Sequence, residues 1–190
     1  MSNQPYFRPG RRAHVRIRRL VRLAMPLLLL LGVPAVGLTA APAYAADNAF
    51  SVRTVVAPQR CLAAHAAAWD PAFLWDCDSA ADQRWYYHVL QTIPEGTGGY
   101  PFQIDSVNLI NSQSGLCLTP AGEEGGQATV QVCSGDPLQI WTAYSNQAPR
   151  WVFVDAYGRC LATKGGLGYP AFSWQCYSLF STDTQEWGFW

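Results

Sequence analysis

Three stretches of this 190-residue chain repeat one another. Cys61-Leu62, Cys117-Leu118 and Cys160-Leu161 each open a unit, and a second cysteine follows 16 residues later every time, at Cys77, Cys133 and Cys176. A Gln-x-Trp then follows, as Gln83-Arg84-Trp85, Gln139-Ile140-Trp141 and Gln185-Glu186-Trp187. Such self-similarity means one small supersecondary unit used three times. None of the three can bury its apolar face alone, so all must close around a shared core. All six cysteines fall inside the pattern. Six cysteines allow fifteen connectivities, but the repeat selects one: Cys61–Cys77, Cys117–Cys133 and Cys160–Cys176. Each closure is worth about 3 kcal/mol in the chain-entropy model. Zinc sites favour cysteines two to four apart, and oxidised cysteines offer no nucleophile. Neither a metal site nor a catalytic thiol is expected, and no cofactor is implied.

Within each unit the periodicity is that of strands. Val52 to Val56, Val107 to Ile110 and Trp151 to Val154 are short apolar stretches, each followed by turn residues and then the Cys-Leu pair. Tracts rich in Gly, Pro and Ala separate them, and no amphipathic helix of useful length occurs. The fold expected is all-β with internal pseudo-threefold symmetry, spanning 47–190 in units of about 50–101, 102–145 and 146–190. Unit starts lie 56 and 43 residues apart, so the first unit carries extra chain. Thr92 to Tyr100, with Gly96, Gly98 and Gly99, is expected to be that insertion and to form a surface loop. A smaller insertion is expected at Ser181 to Asp183, and Glu123-Glu124-Gly125-Gly126 reads as a hairpin tip.

The N-terminal segment has a different character. Arg8, Arg11, Arg12, Arg16, Arg18, Arg19 and Arg22 form a basic run without an acid. An apolar stretch follows from Leu23 to Leu38, then Ala43-Tyr44-Ala45. That order is the layout of a secretory signal peptide over 1–45. The rival reading is an uncleaved anchor, against which stand Pro26, Pro34 and Pro42 and the small-residue site. Arg18-Arg19 fits a twin-arginine signal poorly. Cleavage would leave a secreted, extracellular domain with no membrane contact. It would hold six basic residues against 13 acids, a formal net charge of −7, with Lys164 as its one lysine. Such a domain is poorly suited to nucleic acid or anionic lipid, so a neutral or basic partner is expected.

The threefold Cys-Leu, Cys, Gln-x-Trp pattern resembles the ricin-B-type (R-type) lectins, a family of β-trefoils, over essentially all of the chain from Phe50 to Trp190. The resemblance implies that Trp85, Trp141 and Trp187 pack into the shared core and that Gln83, Gln139 and Gln185 hold backbone. One large aromatic per unit at an equivalent position suits a common core. The resemblance also implies four sugar-contacting positions per unit. An aspartate would follow Cys-Leu, where this chain has Ala63, Thr119 and Ala162. A polar residue would stand four before the second cysteine, where it has Phe73, Thr129 and Phe172. An aromatic platform would stand two before that cysteine, where it has Trp75, Gln131 and Trp174. An asparagine would precede Gln-x-Trp, where it has Asp82, Leu138 and Thr184. Only the platform persists, in units one and three, and unit two keeps nothing recognisable. Losing a charged acceptor costs about 1.5 to 3 kcal/mol per hydrogen bond, so weak or altered carbohydrate binding is the expectation.

Residues two apart in a strand share a face. Phe73 with Trp75, and Phe172 with Trp174, therefore form aromatic pairs opposite Ala72 with Leu74 and Ala171 with Ser173. Outward-facing pairs would suit a glycan or an apolar partner; a covering loop would instead make them satellite core. Trp75, Phe73, Asp82, Trp174 and Phe172 are the candidate carbohydrate contacts, with unit one preferred because Asp82 can act as an acceptor. Asp76, Asp78 and Asp82 match no calcium-loop spacing. His65 and His88 lack a nearby nucleophile motif and read as surface residues. No enzyme is expected, because relatives that catalyse do so through a separate domain. A protein-binding or inhibitor-like trefoil, taking a secreted protein as partner, is the alternative.

Overall fold

The structure is a computed structural model, and it describes residues 49–99, 101–145, 150–177, 179 and 184–190. Residues 1–45, read above as a signal peptide, lie outside these, as does the expected insertion at Ser181 to Asp183.

Among the described residues the chain forms twelve strands and three single-turn 3-10 segments. Six strands close a barrel: β1 (Phe50–Thr54), β4 (Arg84–Ile93), β5 (Gln103–Asn111), β8 (Trp141–Ser145), β9 (Trp151–Val154) and β12 (Trp187–Phe189). Each pairs antiparallel with the next in that order, and β12 returns to β1 through Val52↔Phe189 and Thr54↔Trp187. Closure leaves the barrel no unpaired edge. The other six strands are three hairpins: β2 (Cys61–Ala64) with β3 (Ala72–Trp75), β6 (Cys117–Thr119) with β7 (Thr129–Gln131), and β10 (Arg159–Ala162) with β11 (Phe172–Gln175). Each joins the barrel through the residue beside or at its first cysteine pairing, as in Arg53↔Cys61, Ile110↔Cys117 and Val154↔Cys160.

The hairpins interlock in a cycle. Ala72 donates its N–H to the Ala128 carbonyl (2.8 Å), Ala128 to that of Ala171 (2.9 Å), and Ala171 to that of Ala72 (2.8 Å). All three alanines are fully buried and belong to one core with Leu62, Leu74, Leu118, Val130, Leu161, Trp85, Trp141 and Trp187. Small side chains here let three backbones approach closely enough to bond.

A second set of contacts ties hairpin to barrel. The indole N–H of Trp85, Trp141 and Trp187 donates to the carbonyl of Leu62, Leu118 and Leu161 at 2.8, 2.9 and 3.0 Å. The Gln83, Gln139 and Gln185 amides donate to the carbonyls of Asp76, Val132 and Gln175. Their oxygens accept from the N–H of Asp78, Ser134 and Tyr177. Each buried glutamine thus satisfies its own amide on backbone groups of the loop that carries the second cysteine, and pins that loop to the barrel. Disulfides Cys61–Cys77, Cys117–Cys133 and Cys160–Cys176 close the same loops.

The extra chain of unit one differs from its expected form. Thr92 and Ile93 are not loop but the end of β4, paired with Asp105 and Ile104. The insertion lengthens the β4–β5 ribbon, and its loop begins at Pro94; Tyr100 lies outside the described residues. Asp105 explains the added pairing. Its buried carboxylate accepts hydrogen bonds from the Tyr87 hydroxyl (2.8 Å), Thr92 Oγ1 (2.7 Å) and Gln103 Nε2 (2.9 Å). A buried charge needs such partners, and one of them comes from the residue expected in the loop.

Two outcomes are expected. Ala128→Leu should overpack the point where hairpins meet and lower stability by about 1–3 kcal/mol, read as an earlier urea midpoint. Burial, the hydrogen bond to Asp105 and repulsion by its charge together hold the Tyr87 hydroxyl far above the usual value near 10. A raised folded value keeps its full benefit below pH of about 10 and loses it as pH climbs beyond. Tyr87→Phe should therefore be less stable than wild type at pH 8 but flatter from pH of about 10 to 11, by on the order of 1 kcal/mol.

Candidate binding grooves

The alternation of β3 sets the first groove. Ala72 and Leu74 point into the core, while Phe73 and Trp75 share the other face, Phe73 half-buried and Trp75 45% exposed. Their rings meet edge to face at 6.2 Å and 83°, a favoured aromatic geometry. The groove holds about 540 Å³ and is lined by this pair with His65, Asp82, Gln127 and Pro170 among others. His65 packs at 4.8 Å against the Phe73 ring. Gln127 and Pro170 arrive from the other two units, because loops before β7 and β11 reach across the hairpin cycle.

The third unit builds its counterpart on β11. Phe172 and Trp174 again meet edge to face, at 6.1 Å and 89°, and Trp174 is 36% exposed. Its indole N–H donates to the Tyr177 hydroxyl at 3.0 Å, which fixes the ring plane. This groove holds about 440 Å³ and is lined by Lys164, Tyr177 and Thr184 as well as the pair. Gly125 lies beneath the indole with φ of 76°; a Cβ there would stand 3.2 Å from Trp174 Cζ3. The backbone conformation favours glycine, and a Cβ there would press on the indole.

The three positions that would hold aspartates present no charged side chain to the grooves. Ala63 and Ala162 are buried. Thr119 is buried too, donating to the Cys117 carbonyl and accepting from Gln139. In unit two Gln131 donates to Thr129 Oγ1, a polar pair where the other units have rings. A cavity of about 420 Å³ nevertheless exists there, lined by Gln131, Asp136 and Leu138 with Trp69 and Tyr157.

The candidate contacts thus fall into two groups. Phe73, Trp75 and Asp82 come together at one groove, and Phe172 and Trp174 at the other. His65 and Lys164 were missed as groove residues, although each stands four after its unit's first cysteine; Tyr177, Trp69 and Tyr157 were missed as well. Asp76 pairs with Arg60 and Asp78 accepts from the Ala80 N–H, so the three aspartates serve separate ends. Among the described residues no three His, Cys, Asp or Glu side chains converge as a metal site would need, and no helix is long and apolar enough to cross a membrane.

No family model and no curated protein matches the sequence. Solved structures do match in fold. The designed threefold-symmetric protein ThreeFoil superposes with a TM-score of 0.61 at 16% identity, over 75% of this chain and 98% of its own. The fold is a β-trefoil. It is the fold of the lectins that the repeat resembles. A Polyporus squamosus lectin bound to the epitope Neu5Aca2-6Galb1-4GlcNAc matches at 0.60 and 13% identity, over 77% of this chain and 49% of its own. The Rhizoctonia solani agglutinin matches at 0.54 and 18%, over 78% and 98%. The trefoil spans about half of the Polyporus protein.

Gly125→Ala should displace the Trp174 ring and cost about 1 kcal/mol or more, seen in denaturation and in indole fluorescence. Gly122→Ala, with open space around it, should change stability by less than about 0.5 kcal/mol.

Proposed function

We propose that this protein is an exported carbohydrate-binding module with degenerate sugar sites, acting by binding and not by catalysis. The observation that carries the reading is the pair of grooves in which a partly exposed indole stands edge to face with a phenylalanine beside a few polar groups. Ligand sites are typically concave, mostly apolar and supplied with a small number of placed polar side chains. An indole face offers the C–H surface of a pyranose a flat apolar partner. Asp82, Gln127 and His65 in one groove, and Lys164, Thr184 and Tyr177 in the other, are the groups that would meet hydroxyls.

The missing aspartates set the strength. Stacking without a charged anchor suits millimolar affinity, about 4 kcal/mol per site, and useful retention then comes from two or more sites acting on one polysaccharide. Export fits the same reading. Residues 1–45 would be removed as a signal peptide, the trefoil of 47–190 would be released outside the cell, and three disulfides suit an oxidising compartment. Some solved structures of this fold are enzymes, including an exo-β-1,3-galactanase from Clostridium thermocellum, but the trefoil matches only 31% of that chain. That coverage supports a binding role, with catalysis left to other domains.

A printed glycan array that includes β-1,3-galactan fragments and Galβ1-4GlcNAc saccharides tests the proposal. Binding should appear at weak affinity, and the Trp75→Ala, Trp174→Ala double variant should keep no more than about a third of the wild-type capacity. Capacity undiminished in that variant rejects these two grooves. A specific secreted protein recovered in pull-downs without any glycan signal would favour the protein-binding alternative.

A further inference from the structure

The three grooves differ in where their exposed indole stands. The residue eight after each unit's first cysteine is Trp69, Gly125 or Gly168, and all three adopt left-handed φ, at 74°, 76° and 74°. Each donates its N–H across the cap to the outer strand of the next hairpin: Trp69 to Val130, Gly125 to Ser173 and Gly168 to Leu74, all at 2.7 Å. The loop position is therefore always laid beside one strand position, occupied by Gln131, Trp174 and Trp75 respectively. In two units a glycine lies under a strand indole, with would-be Cβ atoms 3.2 Å from Trp174 and 3.9 Å from Trp75. In the third the pair is transposed: glutamine on the strand and tryptophan on the loop.

Trp69 is an expensive occupant for that place. A bulky side chain at positive φ is disfavoured, glycine serves there twice in the same molecule, and the indole is 72% exposed, so it adds little to the core. The same cavity is lined by Tyr157, 52% exposed. Arg159 packs 4.6 Å from its ring centroid while bonding Asp155 and the Ala121 carbonyl, which holds the phenol in position. Gln131, Ser134 and Asp136 line that cavity as well.

We infer that this unit-two cavity is a third saccharide site, in which Trp69, supplied by the neighbouring unit, takes over the stacking platform absent from position 131. The inference rests on the carbohydrate reading above. A pyranose would lie on the Trp69 face, with the Gln131 amide and the Asp136 carboxylate meeting hydroxyls. Because the platform stands on a different wall, the third site should rank saccharides differently from the other two.

The test counts sites. The disulfide-bonded protein is titrated by native mass spectrometry with the oligosaccharide panel of the array. Wild type should bind up to three copies, the Trp75→Ala, Trp174→Ala double variant one, and Trp69→Gly two. Trp69→Gly should also hold or raise Tm, since glycine suits the backbone there, so lost binding cannot be ascribed to misfolding. Trp69→Phe should restore the third copy. A wild-type count of two that Trp69→Gly leaves unchanged, with none bound to the double variant, overturns the third site and spares the paired grooves. Wild type that binds nothing from the panel overturns both.

Discussion

Each hairpin of this trefoil completes its hydrogen bonding on the next one. The cycle from Ala72 to Ala128 to Ala171 and back is the constraint from which the rest follows. A lone two-stranded hairpin is marginal in water, and here each outer strand would otherwise present an unpaired edge. Bridging loops cover those edges. Because the loop that covers one hairpin belongs to another unit, the grooves of units one and two are walled by residues of all three units.

That arrangement separates stability from recognition. The core side of each outer strand is occupied by Ala72 with Leu74, Ala128 with Val130, and Ala171 with Ser173, and the indoles of Trp85, Trp141 and Trp187 bond backbone beneath them. The outer side is released from packing duty. Its occupants can vary from an aromatic pair to Thr129 with Gln131 without disturbing the barrel. A scaffold stapled by three disulfides and clamped by three glutamines tolerates such change, which is how one fold comes to host unrelated binding chemistries.

The polar groups of the grooves follow the same logic. His65 and Lys164 sit just beyond the inner strands, Asp82 and Thr184 just before the Gln-x-Trp, and none belongs to the buried core. Ala63 and Ala162 are buried apolar residues, so the proposed binding would draw on ring surface more than on charge.

The all-β, threefold character could be read from sequence because equal cysteine spacing and repeated Gln-x-Trp are local signals that any copy displays. The facing of Phe73 with Trp75 and of Phe172 with Trp174 was legible for a similar reason, since alternation along a strand is a property of the backbone. The extent of β4 was not, because Thr92 is held as strand by Asp105, 13 residues away. Nor was the cavity of unit two. Alignment of the repeats assigns that position Gln131 and stops there, whereas the indole beside it comes from another repeat. Spacing along the chain determined which residues are equivalent; only the closing of three hairpins on one another decided which of them share a groove, because that proximity is made by hydrogen bonds between units.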